Sequence, residues 1–149
     1  MTFRNPEDQE IRVLLAGVET IAIVGLSPKP NRPSHQVARR LKHFGYRIVP
    51  VRPAIDAVLG EHAYGELAQV PGRIDLVDVF LAPERVGAVV QACIERKIPA
   101  IWLQQGVINE AAAELAQAAG MKVIMDRCVS RDYLRLFGDR FVSQVRGEH

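Results

Sequence analysis

Five short apolar segments, rich in valine, isoleucine and leucine, constrain the fold of this chain most. They cover residues 21–24, 46–51, 74–81, 99–103 and 122–125. Such runs predict strands that are buried on both faces, as in a parallel sheet. Helical patterns separate them and begin near residues 5, 34, 83, 109 and 130. This alternation predicts a Rossmann-like α/β fold with one doubly wound, five-stranded parallel sheet between two helical layers, in the strand order 3-2-1-4-5.

The ends of the predicted helices carry capping signals. Asn5, Ser34 and Asn109 stand where apolar helical patterns begin, and we expect each to cap its helix. Gly45 follows the second helix and is expected to end it. Glycines and a proline interrupt residues 54–71, which predicts a winding connection with at most a short helix.

Length and charge predict one domain over residues 1–149, with a core at about 10–136 and a tail at 137–149. The net charge of +2 does not favour nucleic acid. No apolar run approaches the roughly 20 residues of a membrane helix. The two cysteines fit neither a disulfide scaffold nor a zinc site. We therefore expect a cytoplasmic protein without a signal peptide, a metal, a nucleic-acid partner or a membrane partner.

Residues 20–36 join the first strand to the second helix. Gly25 lets the backbone turn sharply, and the prolines at 28, 30 and 33 stiffen the segment. Ser34 opens a helix, where free N–H groups and the helix dipole attract anions. Lys29 and Arg32 add positive charge. The segment predicts a phosphate-binding loop, and the alternative is a tight turn without a ligand.

The glycine count and the end of the second strand narrow the choice of nucleotide. A dinucleotide fingerprint needs three glycines after the first strand and an acid after the second. Here Gly25 stands alone and Arg52 follows the second strand. A Walker A loop is also absent from the sequence, which argues against an NTPase. Arg52 suits a phosphorylated ribose. The residues therefore favour coenzyme A, which has a ribose 3′-phosphate beside its diphosphate, with NADP as the competitor.

Several separated motifs resemble one protein family. They are IVGLS at 23–27 with Lys29-Pro30 and Arg32, GYRIVPV at 45–51, IDLVDVF at 74–80, IWLQQGV at 101–107 and MDRC at 125–128. In this order they resemble the small stand-alone CoA-binding domain proteins, over about residues 10–136. That family is similar to the N-terminal CoA-binding domain of succinyl-CoA synthetase α subunits. The resemblance implies a Rossmann-like fold with CoA bound where the strand order reverses.

The resemblance also implies a set of ligand contacts, position by position. The phosphates would be held by Gly25, Ser27, Lys29, Asn31 and Arg32, and the helix start adds Ser34. The adenosine would lie beside Val51, Arg52 and Pro53. The pantetheine would run along Leu81, Ala82 and Pro83. Arg52 is a departure, because the family usually has asparagine there, and its charge would favour the 3′-phosphate.

Four other residues have a functional and a structural interpretation. Cys128 either forms a mixed disulfide with a CoA thiol or is a structural thiol, and we favour the second. Gln104 either contacts the thiol end of a ligand or caps the next helix. Asp78 is expected to be buried, structural and in need of a partner. His35 either touches a ligand or is a solvated first-turn residue, and we favour the second.

The predicted function is binding of CoA or an acyl-CoA, with no catalytic residue assigned. The synthetase α subunit carries its phosphorylated histidine in a second domain, and the four histidines of this chain do not fit that motif. One alternative is an enzyme: an NADP-dependent reductase, or the CoA-binding half of an acyl-CoA synthetase completed by an ATP-grasp partner. Another is an interaction domain without a ligand. The sequence leaves room for a protein partner and identifies none.

Overall fold

A computed structural model describes residues 3–146. Its strands within that range are β1 (Thr20–Val24), β2 (Arg47–Val51), β3 (Ala57–Val58), β4 (Glu61–His62), β5 (Leu76–Val79), β6 (Ala100–Leu103) and β7 (Lys122–Met125). β1, β2, β5, β6 and β7 form one parallel sheet, and β3 and β4 form a small antiparallel hairpin. The predicted five-stranded α/β sheet is confirmed.

The helices cover the sheet. Those within the described range are α1 (Asp8–Gly17), α2 (Pro33–Phe44), α3 (Val86–Glu95), α4 (Glu110–Ala118), α5 (Val129–Phe137) and α6 (Val142–Val145). Short 3-10 turns lie at Leu67–Gln69 and Pro83–Arg85. The β3–β4 hairpin and α6 are absent from the sequence-based prediction, because segments this short carry no periodic signal.

The sheet has two apolar faces, because successive side chains along a strand point to opposite sides. One face packs under α3 and α4, with Val90 and Ala113 in the shared cluster. The other packs under α1, α2 and α5, with Leu41 and Tyr133 in its cluster. Both faces are therefore covered, which is why the strand sequences are continuous apolar runs.

The predicted strand order is wrong. The sheet runs β2-β1-β5-β6-β7, so its five strands follow the order 2-1-3-4-5. The connection after β2 occupies the free edge of that strand, since Tyr64 N donates to Pro50 O at 3.0 Å and Arg52 N donates to Tyr64 O at 2.8 Å. Because this edge of β2 is already hydrogen-bonded, β5 pairs with β1 on the side that faces away from β2. The order still reverses at β1, so the loop after Gly25 remains at the switch point.

Two predicted N-caps are also wrong. α1 begins at Asp8, and the Asn5 carboxamide instead accepts from Met125 N at 2.8 Å and donates to Met125 O at 2.9 Å. Asn5 thereby closes the outer edge of β7. α2 begins at Pro33, one residue before Ser34, whose hydroxyl serves the preceding loop.

Two other predicted helix ends are confirmed. Asn109 caps α4, because its Oδ1 accepts from Ala112 N at 3.0 Å. Gly45 ends α2 with a φ of 106°, a left-handed conformation that suits glycine.

Candidate functional site

Backbone hydrogen bonds join the carboxyl ends of β1, β2 and β5 beside Gly25. Gly25 N donates to Val51 O at the end of β2, at 2.9 Å. Phe80 N, just after β5, donates to Val24 O at the end of β1, also at 2.9 Å. β1 lies between β2 and β5. This is the carboxyl edge of the sheet at its switch point, where ligands of doubly wound proteins bind.

Two features of this edge require glycine at position 25. Its φ is +87°, which disfavours any residue with a Cβ. A Cβ there would collide with the carbonyl oxygen of Phe80 and lie 3.0 Å from the Leu81 side chain. Glycine therefore lets the chain leave β1 while the end of β5 passes close by.

Side-chain hydrogen bonds hold the loop between β1 and α2. Ser34 Oγ accepts from Ser27 N at 2.9 Å, and Ser27 Oγ accepts from Lys29 N at 3.1 Å. Arg32 N donates to Lys29 O at 3.1 Å. Both serines are buried. The loop is therefore organised before any ligand arrives, which reduces the ordering cost of binding.

An open cleft of about 560 Å³ lies over this loop and the ends of β5 and β6. Lys29, Arg32 and Arg52 line it, and no carboxylate does. Within residues 3–146 the side chains of these three residues make no hydrogen bond or ion pair. The N-terminus of α2 faces the same space and adds its own positive end. The cleft is therefore a place of uncompensated positive charge.

The cleft brings together part of the predicted site. The predicted residues that line it are Gly25, Ser27, Lys29, Arg32, Ser34, Arg52 and Leu81. Those that do not line it are Asn31, Val51, Pro53, Ala82 and Pro83. Val51 is buried in the core, and Pro83 O accepts a hydrogen bond from Asn109 Nδ2 at 2.9 Å. Both residues therefore have structural roles. The ligand contacts of all twelve residues remain predictions.

Two apolar residues of the lining were not predicted from the sequence. Phe80 and Val107 contribute to the cleft wall. Each follows an apolar strand and is indistinguishable from a core residue in the sequence. Only the strand order places them at one edge with the cations.

Gln104 does not cap the next helix, and its contact with a ligand thiol stays a prediction. It lines the cleft, and its Oε1 accepts from Val129 N at 3.1 Å. The helix that it serves is α5 and not α4, the next helix in the chain. Its carboxamide therefore connects the open cleft to the start of α5.

Cys128 lies beside Gln104, which lines the cleft, and Asp78 lies near Cys128. Cys128 is partly exposed and precedes α5, whereas Asp78 is fully buried on β5. Burial first, and then the nearby Cys128, raise the pKa of the Asp78 carboxyl well above its usual range. Neither Asp78 oxygen has a hydrogen-bond partner within the described part of the chain. Asp78 is therefore buried as predicted but does not have the expected partner.

The prediction for His35 is wrong. Its side chain lies in the first turn of α2 but is buried, and its Nδ1 has no hydrogen-bond partner among residues 3–146. Because α2 packs its apolar side on the sheet, the first-turn position at 35 faces inwards with Val37 and Leu41.

A second cleft, of about 360 Å³, lies at the opposite edge of the sheet, between Gly72 and Pro99. Arg96 lines it, but its guanidinium already donates to the carbonyls of Leu67, Val70 and Gly72. Arg73 there pairs with Asp75 at 2.7 Å. Its arginines are therefore already engaged, unlike those of the first cleft.

Two kinds of site are not found within residues 3–146. No group of three or more potential metal ligands lies together there. No helix in that range is long and apolar enough to span a membrane.

The family model described as "CoA binding domain" matches residues 19–133. The chain belongs to the CoA-binding domain family. The matched segment runs from before β1 into α5 and therefore contains the whole cleft. The family expected from the sequence motifs is confirmed.

Relatives of this CoA-binding domain protein include YneT of Bacillus subtilis, 40% identical over 126 residues that cover 85% of this chain and 93% of YneT. The α subunit of the ADP-forming acetate–CoA ligase II of Pyrococcus furiosus is 25% identical over 120 residues. That alignment covers 73% of this chain and 26% of the subunit. A solved structure of a Pyrococcus horikoshii protein superposes with a TM-score of 0.87 at 33% identity, covering 93% of this chain and 99% of that one.

Proposed function

We propose that this chain binds coenzyme A or an acyl-CoA in the cleft at the carboxyl edge of the sheet. The observation that carries the proposal is the set of three unpaired cations, Lys29, Arg32 and Arg52, around the N-terminus of α2. Coenzyme A offers phosphates at two separate points, the diphosphate and the ribose 3′-phosphate. Membership of the CoA-binding domain family supports this ligand class.

The strand order supports one direction for the ligand. Arg52 follows β2, the Gly25 loop follows β1, Leu81 follows β5 and Gln104 follows β6, and the sheet places these strands in this order. The ribose 3′-phosphate then lies at Arg52 and the diphosphate at the loop, where backbone N–H groups and the α2 dipole meet it. The pantetheine passes Leu81 and Phe80, and its sulfur end reaches Gln104.

A second candidate is the CoA-binding part of an acyl-CoA synthetase that a partner protein completes. The similarity to the α subunit of an ADP-forming acetate–CoA ligase favours it. In this version the site binds CoA in the same way, and chemistry depends on the partner. An NADP-dependent reductase has less support, since Gly25 is the one glycine in the turn after β1 and Arg52, not an acid, stands directly after β2.

Calorimetric titration with CoA, 3′-dephospho-CoA, NADP and NAD tests the proposal. We expect CoA to bind most tightly, 3′-dephospho-CoA more weakly and NAD not measurably. The last two ligands lack the ribose phosphate that Arg52 is proposed to contact. Binding of NADP without CoA would make an oxidoreductase the better interpretation. Failure of all four ligands would contradict the proposal and leave the loop as a tight turn.

A further inference from the structure

A carboxyl group and a thiol share one face of the sheet near the end of the cleft. In the register of the sheet, Asp78 stands between Ile23 of β1 and Trp102 of β6. Those two side chains belong to the cluster under α2 and α5, and Cys128 packs against the same cluster. Asp78 and Cys128 are close enough for the charge of the thiolate to affect the carboxyl group.

Asp78 is a buried acid without a partner. Its exposed fraction is 0%, and both carboxyl oxygens have no hydrogen bond within residues 3–146. Burial raises its pKa well above the usual range, which favours the neutral form of the carboxyl group, a form with an O–H to donate. An unpaired buried polar group costs free energy. The position of Asp78 beside a thiol therefore indicates that Asp78 influences that thiol.

Hydrogen-bond donors converge on the Cys128 sulfur. Burial raises the pKa of the thiol, but hydrogen bonds from the Ser130 hydroxyl, the Arg131 and Ser130 backbone and the Gln104 side chain bring it below its ordinary value. Ser130 Oγ lies 3.3 Å from Sγ. Cys128 is also the N-cap of α5, where the helix dipole favours a thiolate. Arg127 is paired with Asp132 at 3.0 Å.

The position of Cys128 matches the sulfur end of the proposed ligand. Neighbouring strands lie about 4.8 Å apart, so the end of β6 is about 10 Å from the end of β1. Gln104 lies there and is in contact with both the cleft and Cys128. A ligand whose diphosphate lies at the Gly25 loop therefore extends its far end towards this thiol.

We infer that Cys128 accepts the acyl group of an acyl-CoA bound in the cleft, with Asp78 as a positioning residue. The inference rests on the proposed CoA-binding function. The Cys128 thiolate attacks the thioester carbonyl carbon, a carbon–sulfur bond forms to Cys128, and the carbon–sulfur bond to CoA breaks. The electron pair leaves on the CoA sulfur, which takes a proton from water in the open cleft. The products are S-acyl-Cys128 and free CoA.

Two observations favour acyl transfer over disulfide exchange. Attack on a thioester develops charge on the carbonyl oxygen, which the positive end of the α5 dipole at Cys128 would stabilise. Disulfide exchange develops no such oxyanion, and redox-active cysteines are often beside a resolving thiol. Cys93 is buried in the cluster on the opposite face of the sheet and cannot serve as one.

The proposed role of Asp78 follows from the neutral form that burial favours. A carboxylate beside the thiolate would place two negative charges in a buried space and disfavour both. The neutral acid instead leaves the thiolate as the only charge of the pair. Asp78 therefore acts through Cys128 and does not itself contact the acyl group.

Intact-mass measurement after incubation with acetyl-CoA tests the inference. We expect the mass of one acetyl group on the wild type and on Cys93→Ala, none on Cys128→Ser, and release by hydroxylamine, which cleaves thioesters. The folded protein should react at least about tenfold faster than the same chain in urea, because unfolding removes the donors. Absence of the acetyl adduct in a protein that binds CoA would overturn the inference. So would a CoA adduct formed from CoA disulfide without any acetyl transfer.

The variant Asp78→Asn tests whether Asp78 positions Cys128 or only packs in the core. We expect slower acetylation of Cys128, and the pH profile of the acetylation rate should lose the contribution of the Asp78 carboxyl group. Calorimetry should show unchanged CoA binding. An unchanged profile would remove Asp78 from the inference. If the wild type does not bind CoA, the proposed function fails on its own. Acetyl-pantetheine, which has no phosphate, then tests the thiol separately: acetylation of Cys128 supports the site, and no acetylation overturns it.

Discussion

A Cβ on Gly25 would collide with the backbone carbonyl oxygen of Phe80. The end of β5 thus passes directly against the turn that leaves β1, and the loop between β1 and α2 starts at this contact. The relationship involves a backbone atom, so no rotation of a side chain relieves it.

Gly25→Ala is therefore expected to lower the free energy of unfolding by about 2–4 kcal/mol, from left-handed strain and the clash together. Urea denaturation measures it. Gly120→Ala is the matched control, because Gly120 has a φ of +91° and open space around its Cβ position. That variant should lose only about 1 kcal/mol, the cost of the strain alone. Equal losses in the two variants would contradict the role assigned to Phe80.

Arg52→Ala is expected to weaken CoA binding by about 10- to 100-fold, because a charged hydrogen bond to phosphate is lost. Binding of 3′-dephospho-CoA should change little, since that ligand lacks the proposed partner of Arg52. Calorimetric titration of both proteins with both ligands gives the coupling directly. Arg47→Ala removes an exposed arginine from the other end of β2 and serves as the control. Equal losses for both ligands would place Arg52 elsewhere than at the 3′-phosphate.

Ser34→Ala removes the acceptor of the buried Ser27 N–H. An unsatisfied buried donor costs about 1–3 kcal/mol. We expect a loss of that size in the free energy of unfolding and weaker CoA binding, because the loop is no longer held in one shape. Denaturation and calorimetry measure the two effects, with Ser143→Ala on the exposed side of α6 as the control. A normal CoA affinity in Ser34→Ala would show that the loop does not need this bond.

Asp75 gives a pH-dependent contribution to stability. Burial raises the pKa of its carboxyl, but the N–H groups of Thr20 and Glu19 and the Arg73 guanidinium outweigh this, so the pKa lies below its usual value. A lowered folded-state pKa means that the stabilisation is present above about pH 3.9 and is lost as pH falls through the folded-state value.

Asp75→Asn should therefore reduce the free energy of unfolding by about 1–2 kcal/mol at pH 7, where the carboxylate is ionised. The difference from the wild type should shrink as the pH falls below about 3.9. Urea titrations at several pH values test this, and Asp56→Asn, at an exposed position, is the control. A difference that stays constant with pH would mean that the charge of Asp75 does not contribute.

Much of this protein was predictable from local sequence. The apolar runs determined the five main strands, and Gly45 and Asn109 marked helix ends. These are signals of neighbouring residues, and a strand buried on both faces has the same composition wherever it lies in the sheet. The loop around Gly25 was predictable for the same reason, since a turn, a cation and a helix start are all local. The motifs that resemble the CoA-binding domain family predicted the family, which the match to residues 19–133 confirms.

Only the tertiary structure decided the strand order, because the edge of β2 is occupied by Tyr64 and its neighbours, a contact that no local pattern encodes. It also decided that Asn5 pairs with Met125, 120 residues away, instead of capping α1. The meeting of Asp78 with Cys128 is of the same kind, since it depends on β5 lying beneath the cluster that α5 covers. Secondary structure follows from interactions between near neighbours, whereas the pairing of strands and the juxtaposition of buried groups depend on distant segments competing for the same surface.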